Sequence, residues 1–266
     1  MAHEPNDRGW VKDFYDSALE WWGVSWYEGE NLEPRLRTIA AFAGPGPKRI
    51  LELAAGPGET AEYLAAAGHQ VLALDIAPRN AERLRELAAR QSRVRALEGD
   101  FMTVDIRERF EAVCVFDSFG FGADAEQRAL LRRIASWIDE GGCAIVDVYH
   151  PFAPIRAAGT SRELDRLEGI PGSVDMTDYT DYDAVSGRWI DTWEPRADKA
   201  AAKAQSIRCY APADLALLLE GTGLRVAAAR YGGREFDFHG SSVSAERLRI
   251  DPKVDYSYCV KLVREA

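Results

Sequence analysis

Short apolar runs alternate with longer amphipathic segments between Ile50 and Val148, and this alternation constrains the fold more than any other feature. The intervening segments contain helix-forming residues, with apolar positions three and four apart. Strands that alternate with helices form a parallel sheet covered by helices on both faces, so we predict an α/β fold. The predicted strands are 49–53, 70–74, 94–97, 112–116 and 143–148, and the predicted helices are 59–67, 81–90 and 125–137.

The segments around this core differ from it in composition. Aromatic residues crowd Trp10–Tyr27, followed by a predicted helix at 35–42 that ends at Gly44-Pro-Gly-Pro47. Alternating aromatic and polar residues at 179–184 and 188–194 indicate antiparallel strands. A helix at 212–222 and strands at 224–231 and 256–263 complete the pattern. We therefore divide the chain into an N-terminal helical lid (1–45), a core (46–151), a cap (152–207) and a C-terminal part of the core sheet (208–266).

Charge and cysteine spacing exclude several classes of function. The chain has 33 Lys and Arg against 43 Asp and Glu, a net charge of −10, which gives it no general attraction for nucleic acid or anionic membranes. No apolar run is long enough to span a bilayer, and the first ten residues lack a basic and an apolar region, so we expect no membrane span and no secretory signal. The four cysteines are widely separated, so we expect reduced thiols, no metal site and a cytoplasmic location.

The segment Ile50–Thr60 is a strand that enters a tight glycine turn and then a helix. This geometry brings backbone amides and a helix N-terminus close to a bound cofactor. Glu52 adds a carboxylate that can bind an ammonium group or, alternatively, cap the helix. A dinucleotide-binding loop requires G-x-G-x-x-G, but Ala54 stands at the first glycine and no third glycine follows Gly58. An NAD-type enzyme remains an alternative.

Two further acids end the second and third strands. Asp75 is placed to accept both hydroxyl protons of a ribose, and Asp100 is placed to accept from an adenine amino group. Each also has a structural alternative, since Asp75 can cap the helix that follows Pro78 and Asp100 can hold the turn after Gly99. Three acids at successive strand ends beside one glycine turn form a constellation that favours an adenosine-containing cofactor.

With these residues the chain resembles the class I S-adenosylmethionine-dependent methyltransferases over roughly residues 48–150. Glu52-Leu-Ala-Ala-Gly-Pro-Gly58 is similar to their first motif, and Phe116-Asp-Ser-Phe-Gly120 to the segment beneath the methionine moiety. The resemblance implies a Rossmann-like, seven-stranded, mostly parallel sheet with S-adenosylmethionine as cofactor and S-adenosylhomocysteine as product. The cofactor-binding residues that we expect are Glu52, Ala54, Gly56, Gly58, Asp75, Ile76, Asp100, Phe101, Met102, Phe116, Asp117, Ser118 and Tyr15.

The acceptor is expected to be a small molecule bound above the strand ends. Tyr149 and His150 follow the fifth strand, where the family often places an acceptor-facing group, and His150 is the candidate general base. Asp147, in that strand, has a structural role or contacts the substrate. The architecture resembles methyltransferases of amino sugars, amino acids and bacterial secondary metabolites. The cap is rich in carboxylates, which favours N-methylation of a cationic amine over O-methylation. Its acidic and tyrosine residues are Asp175, Asp178, Tyr179, Asp181, Tyr182, Asp183 and Asp191.

Three alternatives stay open from the sequence. The aromatic N-terminal segment either closes over the methyl donor or is a helix merely docked on the core, and it is compatible with a homo-oligomer. The acidic cap residues either line the site or form a solvated face. The fold also supports non-methylating enzymes, which catalyse steps such as dehydration or cyclisation, and non-enzymatic binding modules.

Overall fold

The computed structural model describes residues 8–22, 32–232, 234–239 and 256–265. Seven helices and twelve strands are found in these ranges. The helices are α1 (Trp10–Trp22), α2 (Leu32–Ala43), α3 (Glu59–Ala66), α4 (Pro78–Arg90), α5 (Asp124–Trp137), α6 (Phe152–Ala157) and α7 (Pro212–Leu219). The strands are β1 (Arg49–Leu53), β2 (Gln70–Asp75), β3 (Val94–Glu98), β4 (Phe110–Val115), β5 (Ile138–Tyr149), β6 (Thr160–Leu164), β7 (Met176–Asp183), β8 (Arg188–Pro195), β9 (Lys203–Arg208), β10 (Leu224–Tyr231), β11 (Arg234–Glu235) and β12 (Ser257–Arg264).

The main sheet has eight strands in the order β11-β10-β12-β5-β4-β1-β2-β3. Strands β3, β2, β1, β4 and β5 are parallel; β12 is antiparallel to both β5 and β10, so β10 runs in the same direction as β5. The chain builds outward from β1 through β2 to β3, then returns to β4 on the other side of β1. The carboxyl ends of β1 and β4 therefore flank the switch point at which open α/β sheets bind ligands.

Each face of the main sheet has its own apolar core. Leu51 and Leu53 of β1 face helices α5 and α7, whereas Ile50 faces α2, α3 and α4. Because side chains alternate along a strand, Glu52 lies on the same face as Ile50, beneath α2. This alternation explains why the Glu52 carboxyl is only 3% exposed.

Strands β6–β9 form a separate four-stranded antiparallel sheet, which we call the cap sheet. Helix α1 packs its apolar face against it: Trp10 and Phe14 join Met176, Trp193 and Ile207 in a third core. Phe14 and Trp193 have ring centroids 5.0 Å apart. Surface ion pairs also hold α1, from Arg79 to Asp16 and Glu20.

The structure confirms the predicted α/β fold, with its mostly parallel sheet and an antiparallel sheet inserted after β5. The two-residue β11 adds an eighth strand that was not predicted. Strand β5 begins at Ile138, before the predicted strand 143–148, and runs through Gly141 and Gly142, with Gly141 at φ +74°. The pairing of β4 with β5 shifts there, so these glycines accommodate an irregularity within the strand. Residues 1–7 and 23–31 of the predicted lid lie outside the described ranges. Among the described helices, none is both long and apolar enough to cross a lipid bilayer.

Candidate functional site

A cavity of about 760 Å³ lies between the carboxyl ends of the central strands and the cap sheet. One part, which we call the donor half, is lined by the β1 loop, the ends of β2 and β4, and helix α2. The rest, which we call the acceptor half, is lined by α1, the end of β5, the start of β12 and the cap sheet. The donor half contains Pro34, Arg35, Thr38, Glu52, Ala54, Ala55, Gly56, Glu59, Thr60, Asp75, Ile76, Asn80, Phe101, Phe116, Asp117 and Ser118. The acceptor half contains Val11, Phe14, Tyr15, Ala18, Phe121, Asp147, Tyr149, Ala157, Thr160, Ser161, Arg162, Asp178, Thr180, Trp189, Asp191, Trp193, Gln205, Tyr256 and Ser257.

Two non-glycine residues with left-handed backbone mark the switch point. Ala54 follows β1 at φ 51°, and Asp117 follows β4 at φ 53°. A side chain makes this conformation costly, and residues held in it concentrate at functional sites. Ala54 therefore stands where a glycine is the usual choice.

The two glycines of the loop have different surroundings. Gly56, at φ 58°, lines the cavity. Gly58, at φ 105°, packs against α4, where an added Cβ would lie 2.8 Å from Cδ2 of Leu84. Gly58 is therefore placed to let the loop approach α4, and it does not line the cavity.

Asp75 organises the floor of the donor half. Its Oδ2 accepts from the backbone N–H of Gly56 at 2.8 Å, and its Oδ1 accepts from that of Ala77 at 2.8 Å and from Nδ2 of Asn80 at 3.2 Å. Desolvation raises the pKa of this carboxyl to about 6, although these hydrogen bonds act to lower it. Asp75 therefore has the structural role considered above, because it holds the turn before α4. Its carboxyl also lines the cavity, so a role in cofactor binding remains open to it.

Glu52 and Arg35 form the charged end of the donor half. The Arg35 guanidinium donates to Oγ1 of Thr60 at 2.7 Å, pairs with Asp117 and lies over the Phe116 ring at 4.9 Å. Glu52 Oε2 is buried without a hydrogen-bond partner. Burial raises the pKa of Glu52 to about 8, although the nearby positive charge of Arg35 opposes this shift. Arg35 was not among the predicted site residues, since an arginine on an amphipathic helix has no distinguishing sequence pattern.

The raised pKa of Glu52 predicts a pH-dependent stability of the ligand-free protein. The folded state keeps a proton that the unfolded chain loses above about pH 4.5, so stability falls as the pH rises from there through about 8. We expect Glu52→Gln to remove up to ~1.4 kcal/mol per pH unit from the slope of unfolding free energy over that window. Urea unfolding at pH 5, 6, 7 and 8 measures this slope. Glu111→Gln, which alters a half-exposed acid near the start of β4, is the matched control, and equal slopes in both variants would contradict the assignment.

Asp147 and Tyr149 of β5 continue this surface into the acceptor half. Desolvation and the negative charge of Asp117 raise the pKa of Asp147 to about 7. Burial holds the pKa of Tyr149 well above its ordinary value, so its hydroxyl stays protonated and donates to the Asp117 carbonyl at 3.4 Å. The Tyr149 ring meets Trp189 edge to face, with centroids 5.4 Å apart.

The cap sheet presents two buried carboxyls to the acceptor half. Asp178 and Asp191 are each 4% exposed, while Asp181 and Asp183 of the same sheet do not line the cavity. Asp191 Oδ2 accepts from Nε2 of Gln205 at 2.7 Å and from Nε1 of Trp193 at 3.0 Å. Asp178 and Asp191 therefore line the site and do not belong to a solvated face of the cap.

Four of the sequence-predicted residues lie away from the cavity. Asp100 instead accepts from the backbone N–H of Met102 at 2.8 Å and pairs with Arg8 at 3.2 Å, and only Phe101 of that segment lines the site. His150 Nδ1 accepts from the backbone N–H of Phe152 at 3.1 Å, and its ring contacts Tyr258. Gly58 is the fourth. Cofactor or catalytic roles for Asp100, Met102, Gly58 and His150 thus stay predictions that this geometry does not favour.

The other predicted site residues are brought together. Ile76, Phe101 and Phe116 supply apolar surface to the donor half, where Ser118 Oγ donates to the Phe116 carbonyl at 2.9 Å. Tyr15 of α1 lies in the acceptor half, and its hydroxyl donates to Oε1 of Gln205 at 3.0 Å. Helix α1 thereby contributes a polar group to the site in addition to its docking contacts.

Comparison with known proteins identifies this arrangement. Residues 50–142 match the family model described as a methyltransferase domain. Over 155 residues the chain is 32% identical to the cypemycin N-terminal methyltransferase of a Streptomyces species, an alignment that covers 56% of this chain and 63% of that relative. The chain thus spans less than two thirds of the length of that relative.

Solved structures are similar over nearly the whole chain. The methyltransferase CcbJ of Streptomyces caelestis superposes with a TM-score of 0.71 and 22% identity, covering 99% of this chain and 100% of CcbJ. The glycopeptide N-methyltransferase MtfA superposes with a TM-score of 0.56 and 20% identity, covering 90% of this chain and 92% of MtfA. Residues 50–142 therefore match a methyltransferase domain, and the chain has the same fold as solved S-adenosylmethionine-dependent methyltransferases.

Proposed function

We propose that this protein transfers the methyl group of S-adenosylmethionine to an amine nitrogen of a small molecule. One observation carries the proposal: a single cavity joins a donor half with charges suited to this cofactor to an acceptor half walled by aromatic rings and carboxyls. The relatives named for methylation of a peptide N-terminus and of a glycopeptide nitrogen support the same conclusion.

Unpartnered buried atoms in the donor half match the polar groups of the cofactor. Glu52 Oε2 and Asn80 Oδ1 have no hydrogen-bond partner, although both side chains are almost fully buried. A buried acceptor without a donor is costly, so these atoms fit ligand N–H or O–H groups. Glu52 would accept from the amino acid ammonium, and Asp75 with Asn80 from the ribose hydroxyls. Arg35 would pair with the amino acid carboxylate, and Ile76 and Phe101 would contact the adenine.

The bound cofactor supplies a methyl group already activated on a sulfonium, so the protein has mainly to position the acceptor and exclude water. Helix α1 excludes water on one side through Phe14 and Tyr15, which pack against Trp10, Phe121 and Trp193. The Tyr149 and Tyr15 hydroxyls donate to the Asp117 carbonyl and to Gln205, so their oxygens are left to accept from an N–H of the acceptor. A nitrogen acceptor fits this lining because an amine can lose its proton to water before it attacks.

An oxygen acceptor fits the lining less well. A phenol or alcohol needs a general base, and the predicted base His150 lies outside the cavity lining with its Nδ1 already accepting a hydrogen bond, which leaves that role to carboxyls such as Asp147, whose pKa is about 7. The carboxyls of the acceptor half would in addition attract a cationic amine from solution.

A paired-substrate assay tests the proposal. The protein is incubated with S-adenosylmethionine and a panel of small scaffolds, each offered once as the primary amine and once as the matching alcohol, and S-adenosylhomocysteine is quantified. We expect turnover with some of the amines and at most a tenth of that rate with their alcohols. Calorimetric titrations with S-adenosylhomocysteine and with NADH run in parallel. Binding of NADH alone would refute the methyltransferase assignment, and preferential turnover of alcohols would refute N-methylation.

A further inference from the structure

The cap sheet arranges polar groups in two rows that face the cavity. Register places Asp178 opposite Trp193, and Thr180 opposite Asp191, so the two carboxyls are diagonal neighbours on one face. Gln205 lies beside Asp191 on β9, and Arg162 lies beside Asp178 on β6. The antiparallel pairing thus brings together two acids that are 13 positions apart in the sequence.

The donors of the protein leave this pair incompletely satisfied. Asp191 receives only neutral donors, from Gln205 and Trp193. Asp178 Oδ2 accepts from Arg162 Nε at 2.6 Å, whereas Asp178 Oδ1 is buried without a hydrogen-bond partner. Arg162 supplies one positive charge for two carboxyls buried side by side, so the second charge calls for a proton or another cation. Desolvation and the adjacent Asp178 raise the pKa of Asp191 to about 8, which is consistent with a proton on the pair when no second cation is bound.

Aromatic rings surround the same position. Phe14, Trp189, Trp193 and Tyr256 all line the acceptor half, and Trp189 and Tyr256 stack with centroids 5.7 Å apart. Faces of aromatic rings attract organic cations, so they reinforce the attraction of carboxyls for an ammonium group. Two cations of the described residues lie near this pair: Lys203 pairs with Asp13, and Arg162 pairs with Asp178 through a side chain that is 64% exposed, so that this ion pair is screened.

We propose that Asp178 and Asp191 form an ammonium-binding subsite that anchors the acceptor through a protonated amine. The inference rests on the proposed function, and it adds that acceptor recognition depends on positive charge at this position of the cap sheet. Carboxyls keep an ammonium protonated, and a protonated nitrogen has no lone pair to attack a methyl group. The anchoring nitrogen is therefore distinct from the one that is methylated, and the acceptor carries at least two amines.

A charged probe and its neutral isostere test the subsite. The wild-type protein is saturated with S-adenosylhomocysteine at pH 7.5 and titrated calorimetrically with 2-phenylethylamine and with 2-phenylethanol. We expect the amine to bind at least tenfold more tightly than the alcohol. Asp178→Asn and Asp191→Asn should each reduce that preference to less than threefold with little change for the alcohol. Asp181→Asn, which alters the opposite face of β7, is the matched control and should retain the full preference.

Arg162→Gln gives a result that misfolding cannot produce. It removes the cation that competes for Asp178, so the amine should bind severalfold more tightly than to the wild type. A wild-type protein without amine preference, or a preference that persists in Asp178→Asn and Asp191→Asn, would overturn the subsite. Binding of S-adenosylhomocysteine is the separate readout for the proposed function: if it is retained while amine preference is absent, only the subsite fails.

A diamine distinguishes the two nitrogens. N-methyl-1,3-diaminopropane offers two amines of different substitution, and methylation assays on it compare kcat and KM in the wild type and in Asp191→Asn. The subsite predicts that Asp191→Asn raises KM about tenfold or more and changes kcat less than threefold, because the variant loses anchoring and keeps the cofactor site. A lowered kcat with unchanged KM would instead assign Asp191 to the chemical step and overturn the anchoring role.

Discussion

Replacing Asp75 with alanine is expected to weaken binding of S-adenosylhomocysteine by about 100-fold, or ~2.7 kcal/mol. The substitution removes the acceptor for the ribose hydroxyls that we assign to this carboxyl. It also releases the N–H groups of Gly56 and Ala77 and the amide of Asn80, which hold the loop and the start of α4. A hydrogen bond to a charged group contributes about 1.5–3 kcal/mol, so the loss of the ribose contacts alone accounts for most of this effect.

The choice of ligand and control makes the Asp75 prediction specific. Titration with 5′-methylthioadenosine, which contains the ribose and adenine but lacks the amino acid group, should show a similar loss. Glu98→Ala removes an exposed acid that is the register partner of Asp75 on β3, and it should bind both ligands normally. Equal affinity of Asp75→Ala and the wild type for S-adenosylhomocysteine would contradict the assignment of the second strand end.

The sequence predicted the donor half because that part of the site is local in the chain. A strand, a glycine turn and a helix adjoin one another along residues 50–60, and Asp75 ends the next strand, so spacing alone places Glu52, Gly56 and Asp75 at one edge of the sheet. The interior of the sheet was equally predictable, since its buried strands consist of apolar runs. Spacing does not reveal which way a side chain turns, and Asp100 turns to Arg8, which is 92 positions away.

The acceptor half depends on contacts that no local pattern encodes. Strand β7 reads Met-Thr-Asp-Tyr-Thr-Asp-Tyr-Asp, with polar residues at both parities. The alternation of residues therefore does not show which face of β7 lines the cavity. The sequence could not distinguish Asp178, which lines it, from Asp181, which does not. Likewise β6 and β9 lack a strong apolar alternation, and their strands form because β7 and β8 offer edges for pairing. His150 was singled out from its position after β5, but the chain turns there and directs the ring toward Tyr258.

Replacing Arg35 with methionine is expected to weaken S-adenosylhomocysteine binding by about 30-fold and to leave 5′-methylthioadenosine binding within about twofold. The side chain reaches from α2 into the cavity, where it faces Glu52, Asp117 and Asp147. We assign its guanidinium to the amino acid carboxylate, and 5′-methylthioadenosine lacks that group. Losing one charge-assisted contact of about 2 kcal/mol gives a factor of this size. Methionine preserves much of the apolar stem of the side chain and removes only its charged end, which lies over the Phe116 ring.

The contrast between the two ligands separates a lost contact from general damage to the site. A collapsed donor half would lose both ligands together, as we expect for Asp75→Ala, whereas a missing carboxylate contact affects only the ligand that carries the carboxylate. Arg37→Met, on the exposed side of the same helix, removes an ion pair with Glu33 and is the matched control for helix stability. If Arg35→Met weakened both ligands equally while Arg37→Met weakened neither, Arg35 would be a structural counter-charge for Glu52 and its neighbours. The amino acid end of the cofactor would then have to be held by other groups.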